Sequence, residues 1–307
     1  MKISEAIVDF LIEQRVRGNS PSTFKYYEIT LKSFQTFLDD ADIKDINLTR
    51  CKLYYLHLAD GNKNSVSVQT YIRGVRAFLK YLYDNELIDV DLCARFRLPK
   101  STRNVIDVLS DEEVTRIYDV LSGDDLLSKR NRVIVSLMLD SGLRRHEVVA
   151  LAIGDLHLED RYIIVTGKGA KQRYVPFGEL TEKYISEYVD AAFPSRRSLD
   201  FRNSLIIKVS DLGIKSGITD TTLKQLFRAL KKRTGIRRLK AHLLRHTFAT
   251  RYLENGGNIY ALQAILGHTS LEMVKRYLPL ANNRIRADFP KFSPLDHVKK
   301  PPRDEKA

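Results

Sequence analysis

Tryptophan is absent from this sequence, cysteine occurs twice and methionine three times. Two cysteines, Cys51 and Cys93, are too few for a disulfide framework and lack the spacing of a metal site, so a reducing cytoplasm is the default expectation. No stretch approaches the roughly 18 consecutive apolar residues a spanning helix needs. The opening Met1-Lys2-Ile3-Ser4-Glu5-Ala6 carries an acid and soon repeats amphipathically, unlike a signal peptide. There is no internal repeat and no low-complexity tract. Acid is missing locally too: from Thr221 to Leu253 there are ten Lys or Arg and no Asp or Glu.

What is present describes a globular protein. Of the 307 residues 43% are hydrophobic and 29% charged, enough chain for two ordinary cores. The net charge is +13, divided as +3 over residues 1–104 and +10 over the rest. Such a surplus favours a polyanionic partner through counterion release and steering. No basic amphipathic anchor or lipidation motif points to a membrane.

The first hundred residues carry helical periods. Ile3, Ile7, Phe10 and Leu11 share one face before Gly18 and Pro21. Phe24, Tyr27, Leu31, Phe34 and Leu38 repeat at steps of three and four, as do Tyr71, Val75, Phe78, Leu79 and Leu82. These aromatics read as core of a small bundle of about four helices, not as a base-stacking platform. Residues 97–104 have no apolar period and read as a linker, giving an N-terminal helical domain over 1–104. Residues 105–297 form a second domain, and the charged 298–307 a disordered tail.

The second domain opens on a capping box, Ser110-Asp111-Glu112-Glu113, ahead of Val114, Ile117, Tyr118 and Leu121. An apolar helix through Val133, Ile134, Leu137 and Met138 follows. The period then changes to two: Leu156 and Leu158, Tyr162 to Thr166, and Arg173 to Phe177 read as three strands, with a glycine turn at 167–171. From Leu180 the pattern is helical again. The fold class is mainly α with a small antiparallel β-sheet in the second domain.

Five features recur in order in this half: Arg144 after Gly142-Leu143, Lys168 in the glycine turn, His242-x-x-Arg245, Gly267-His268, and Tyr277. Each has an ordinary explanation alone, as surface arginine, hairpin tip, core histidine, helix cap or core tyrosine. Together they meet the demands of phosphoryl transfer. Two guanidinium forks suit the nonbridging oxygens of a phosphodiester. A tyrosine hydroxyl is a nucleophile whose phenolate leaves easily enough to make a covalent step reversible. A lysine on a hairpin tip can protonate the departing oxygen. No carboxylate cluster of two-metal type is visible. His242 and His246 have the spacing of a zincin helix, but that chemistry needs glutamate at 243, where leucine stands. His246 is therefore expected to pack or cap within its helix.

The ordered motifs Ser-Gly-Leu-Arg-Arg-His-Glu-Val, Gly-Lys-Gly-Ala-Lys-Gln-Arg-Tyr-Val-Pro, His-Leu-Leu-Arg-His-Thr-Phe-Ala-Thr, Leu-Gly-His and Arg-Tyr-Leu-Pro-Leu-Ala resemble the tyrosine recombinases of the phage integrase family, in the two-domain layout of its Xer-like members. The resemblance covers residues 1 to about 290. It implies that Arg144 and Arg245 clamp the scissile phosphate and that Tyr277 attacks it, leaving a 3′-phosphotyrosyl link and a free 5′ hydroxyl. It implies further that Lys168 protonates the leaving oxygen, His242 takes the tyrosine proton, His268 hydrogen-bonds the phosphate and Glu147 supports the site beside Arg144. Neither a cofactor nor a metal is implied, nor ATP, because the linkage conserves bond energy. The implied partner is double-stranded DNA, bound as a dimer per site and a homo-tetramer on two sites, with strand exchange through a Holliday junction and room for an accessory directionality factor. The first domain would be a core-DNA-binding module closing a clamp with the second, with no arm-binding domain ahead of it. One departure is Leu278-Pro279, where many members carry threonine and histidine.

The expected function is site-specific recombination, integrating or excising a mobile element, in a cytoplasmic, nucleoid-associated protein. Resolution of chromosome dimers by a Xer-type enzyme is the alternative, and a DNA-binding relative without catalysis the third reading.

Overall fold

The computed structural model describes residues 1–61, 63–98, 107–167, 171–194, 200, 202–209, 216–268, 270–275 and 277. The chain divides into two compact units, Met1–Asn104 and Val105–Ala307.

The first unit is helical: α1 (Ile3–Val16), α2 (Pro21–Phe37), α3 (Leu48–Asp60), α4 (Ser65–Asp84) and the short α5 (Leu92–Arg95). The starts are encoded locally. Ser20 accepts from Thr23 N with Pro21 in the first turn, and Asn64 accepts from Ser67 N at 2.8 Å. The apolar stripes of α1, α2 and α4 meet in one core, where Phe10 packs edge-on against Tyr27, Phe78 and Tyr81. Phe34 does the same against Tyr54. These rings are core, as their spacing predicts.

The second unit contains α6 (Asp111–Val120), α7 (Leu126–Leu139), α8 (Arg145–Ala150), β1 (Leu156–His157), β2 (Tyr162–Thr166), β3 (Gln172–Pro176), α9 (Glu179–Ala192), α10 (Asp220–Thr234), α11 (Ala241–Glu254), α12 (Ile259–Leu266) and α13 (Glu272–Lys275). The capping box of α6 forms: Ser110 N donates to Glu113 Oε2 and Glu113 N to Ser110 Oγ. Helix α7 buries Val133 through Met138 without a break, and α11 is buried at Leu243, Leu244, Thr247, Phe248 and Ala249. Buried on most sides, both are interior helices around which the unit packs.

The three strands form one antiparallel sheet in the order β1-β2-β3. Val165 pairs with Arg173 and Ile163 with Val175. Residues two apart share a face, so Arg173 lies on the same side as buried Val175. Gly167 N donates to Lys171 O at 2.8 Å across the base of the hairpin. Lys168 at its tip lies outside the described residues, as do the end of the linker and the C-terminal tail. No helix among the described residues is long and apolar enough to cross a membrane.

Candidate active site

The site is assembled where the C-terminal end of α7, the start of α8, strand β3, helix α11 and the turn after α12 converge. Helix α7 ends at Leu139, and the chain reverses through Gly142, whose φ is +65°. A Cβ there would stand 2.4 Å from Phe248 Cδ1, so both conformation and space demand glycine. This reversal exposes the Gly142 carbonyl to Arg245 and delivers Arg144 to the N-cap of α8.

Glu147, on the first turn of α8, organises the charges. Its side chain is fully buried and accepts from Arg144 N at 2.7 Å, Arg144 Nη1 at 3.1 Å and Arg173 Nη2 at 2.9 Å. Arg245 Nη1 stands 4.0 Å away. Burial alone would raise this carboxyl. The Arg173 hydrogen bond, the Arg144 backbone N–H and the charges of both arginines outweigh it and hold the pKa at about 2. Glu147 is therefore a fixed anion. Three guanidinium groups surround its one carboxylate, leaving a local excess of positive charge suited to an oxyanion.

Arg245 comes from the middle of α11 and is nearly buried. It donates to Gly142 O, to Leu266 O at 2.8 Å and to His268 Nε2 at 3.1 Å. A guanidinium only donates, so Nε2 of His268 accepts and the ring proton sits on Nδ1. Burial and the neighbouring Arg144 charge pull the Arg245 pKa down to about 10, still far above neutral. The cation is held at a cost that an incoming anion would relieve.

His268 follows Gly267, the left-handed cap of α12 at φ +62°. A Cβ at Gly267 would meet Arg173 Cδ and Nε at 3.1 Å, so this turn too is shaped around the site. Arg173 Nε donates to Ile265 O at 2.7 Å, tying β3 to the end of α12. The motifs give Arg173 no role at the site. The signal available was its period: a charged residue on the inward face of a strand, in step with Val175 and Phe177, needs a buried partner.

Tyr277 is buried at 2% exposure, its backbone N–H bonded to Val274 O just after α13. Its hydroxyl lies 2.8 Å from His246 Nδ1. His246 thus meets the tyrosine of the site instead of simply packing or capping within its helix. His242, one turn earlier on α11, is exposed, and its ring lies nearly parallel to that of His246 with centroids 6.4 Å apart. Partial desolvation and the charges of Arg245, Lys240, Arg145 and Arg144 lower its pKa, favouring the neutral ring. The structure accordingly brings together Arg144, Glu147, Arg245, His268 and Tyr277, adds Arg173 and His246, and keeps His242 on the same helix.

The pattern of the phage integrase family matches residues 107–284, and that of the phage integrase SAM-like domain matches residues 6–98. The chain belongs to the phage integrase family, the tyrosine recombinases, enzymes that cleave and rejoin DNA through a tyrosine intermediate. It is 29% identical over 295 residues to the tyrosine recombinase XerD of Listeria monocytogenes, covering 94% of this chain and 98% of that one. To XerD of Oceanobacillus iheyensis it is 28% identical over the same span and coverage. Its fold is like that of the Tn1549 transposon integrase in complex with a circular intermediate DNA, with a TM-score of 0.74 over 94% of this chain and 99% of that one at 19% identity.

Proposed function

We propose that the chain is a site-specific DNA recombinase in which Tyr277 is the nucleophile and Arg144 and Arg245 bind the scissile phosphate. The observation that carries this is the buried Arg245, held by three hydrogen bonds, whose neighbours are Arg144, Glu147 and the histidine of the Gly267-His268 turn. Such a guanidinium is pre-organised, so it stabilises charge developing on the phosphate without reorganising when the reaction occurs.

Tyr277 Oη attacks phosphorus, the bond to the 5′ oxygen breaks, and a 3′-phosphotyrosyl link remains. Lys168, at the tip of the β2–β3 hairpin, supplies the proton to that oxygen. Glu147 keeps Arg144 and Arg173 in place, and His268 accepts from Arg245, holding that guanidinium for the bound phosphate. Duplex DNA is the partner, taken up by a dimer on each site and a tetramer for exchange through a Holliday junction, in the cytoplasm. Integration or excision of a mobile element is the role we favour, in keeping with the fold shared with a transposon integrase. Resolution of chromosome dimers is a second reading, favoured by the matches to XerD proteins along 98% of their length.

Covalent trapping on nicked suicide duplexes, run in EDTA and read on a denaturing gel, tests the mechanism. A protein–DNA product that disappears in Tyr277→Phe, with duplex binding unchanged, is the expected result. A covalent product that persists in Tyr277→Phe would require another nucleophile.

A further inference from the structure

Strand β3 turns a charged side chain inward, and its guanidinium nitrogens reach three parts of the unit. Arg173 Nη2 donates to Glu147 Oε2 on α8 at 2.9 Å, and Nε donates to Ile265 O at the end of α12 at 2.7 Å. Nη1 passes 3.9 Å from where a Cβ on Gly167 would stand, at the base of the β2–β3 hairpin. We propose that Arg173 is a positioning residue for the proton-donating step. It fixes the root of the hairpin against α8 and α12, and so sets where Lys168, the residue after Gly167, meets the departing 5′ oxygen. This assignment rests on the recombinase reading above.

The hairpin needs such an anchor. Strand β1 pairs only with Tyr162 and Ile163, so beyond them β2 and β3 form a two-stranded ribbon, which has little stability of its own. Arg173 pairs with Val165, and past that pair Thr166, Lys171 and Gln172 are exposed. The Arg173 side chain is only 14% exposed, and both its bonds go to well-fixed acceptors. One is a fully buried carboxylate. The other is the carbonyl beside Leu266, whose own carbonyl accepts from Arg245 at 2.8 Å. The root of the hairpin is thereby indexed to the turn that holds a phosphate-binding guanidinium. Gly267 leaves room for this: a Cβ there would meet Arg173 Cδ and Nε at 3.1 Å. Charge balance alone does not call for Arg173, because Glu147 already accepts from Arg144 N and Nη1. What Arg173 adds is the link to β3, and a planar fork makes it at a fixed angle where a lysine ammonium would not.

Arg173 itself makes and breaks no covalent bond. As the P–O5′ bond breaks, O5′ takes a proton from the Lys168 ammonium, which becomes the amine. Proton transfer needs the two heavy atoms about 2.6–3.2 Å apart, and a misplacement of about 1 Å can cost about 100-fold. A sulfur at the 5′ position leaves without a proton, so it is indifferent to where the lysine stands.

Covalent trapping of wild type and Tyr277→Phe on nicked suicide duplexes, from DNA flanking the gene and from random-sequence DNA selected by binding to the protein, first locates the cleaved phosphate. A duplex with sulfur bridging at that 5′ position is then compared with the ordinary one. Wild type, Lys168→Ala, Arg173→Lys, Arg173→Gln and the double variant Lys168→Ala with Arg173→Lys are run side by side. The ratio of sulfur to oxygen rates is taken within each preparation, so a loss of folded protein cancels. Arg173→Lys and Arg173→Gln are expected to cleave the ordinary duplex about 10- to 100-fold more slowly than wild type and to recover on the sulfur duplex. In the Lys168→Ala background, Arg173→Lys should add no further loss, because the two residues act on one step. A merely structural role, or a direct contact with the phosphate, would slow both duplexes alike. That unchanged ratio, or Arg173 variants as fast as wild type on both duplexes, would overturn the assignment and leave the recombinase reading standing. A Lys168→Ala protein that stays slow on the sulfur duplex would overturn the assignment by removing the acid it serves. Absence of any Tyr277-dependent product from wild type on duplexes it binds would overturn the recombinase reading and the assignment together.

Discussion

Arg173 Nη2 donates to Glu147 Oε2 at 2.9 Å, joining strand β3 to helix α8 through a carboxylate that is fully buried. The same guanidinium holds the carbonyl of Ile265 at the end of α12. One side chain thus ties together strand β3, the start of α8 and the end of α12. Removing Glu147 leaves the Arg173 guanidinium without its carboxylate, at a cost of about 3–5 kcal/mol, whereas removing Arg173 leaves Glu147 still paired with Arg144. Glu147→Ala is expected to lower stability by this order in urea titrations, and Arg173→Ala by less. Their double mutant should be less destabilised than the sum of the two.

The same pair makes an acid dependence. The Glu147 pKa is lowered from 4.5 to about 2, so the unfolded chain binds the proton more readily than the native one. Its contribution is therefore fully present above about pH 4.5 and is lost as pH falls toward 2. The linkage amounts to about 3 kcal/mol. Urea unfolding of wild type and Glu147→Gln across this range should show their stabilities converge as pH falls; a difference that stays constant down to pH 2 would contradict the shift.

Gly142→Ala is expected to be disruptive out of proportion to one methyl group. The residue has a positive φ, and the new Cβ would press on Phe248 and Leu266. Strain of about 1–3 kcal/mol is expected, together with displacement of the carbonyl that binds Arg245. Calorimetry should record a lower melting temperature, and covalent trapping a lower rate at a temperature where the variant is still folded.

Arg245 keeps its charge despite burial and a neighbouring Arg144. An oxyanion at the site relieves that cost, so vanadate is expected to raise the melting temperature of the wild type, by an amount that grows with concentration. Arg245→Gln, which keeps hydrogen-bonding groups but removes the charge, should abolish most of that rise.

Lys168→Ala is expected to slow cleavage of ordinary DNA, because the departing 5′ oxygen loses its proton donor. A duplex with sulfur bridging at that 5′ position leaves without a proton. Equal rates for wild type and Lys168→Ala on the sulfur substrate are expected, and a deficit that persists there would remove Lys168 from the acid role.

Local features of this chain were readable because they depend on neighbours in sequence. The stripes of α1, α2 and α4, the Ser110–Glu113 capping box, the period-two strands through Val165 and Val175, and the glycines at 142 and 267 each follow from residues within a few positions. The order of Arg144, Arg245, His268 and Tyr277 was legible for a different reason: phosphate chemistry restricts residue types, and the family resemblance supplied their grouping. Which polar atom meets which was decided only by the tertiary structure. Glu147 takes Arg173 from 26 residues away, and Tyr277 meets His246 across 31. Two histidines one turn apart share a helix face in any sequence reading, and which of them meets Tyr277 depends on the axial position of α11, since they differ by about one turn along it. Packing of the interior helices sets that position, and periodicity along the chain carries no record of it.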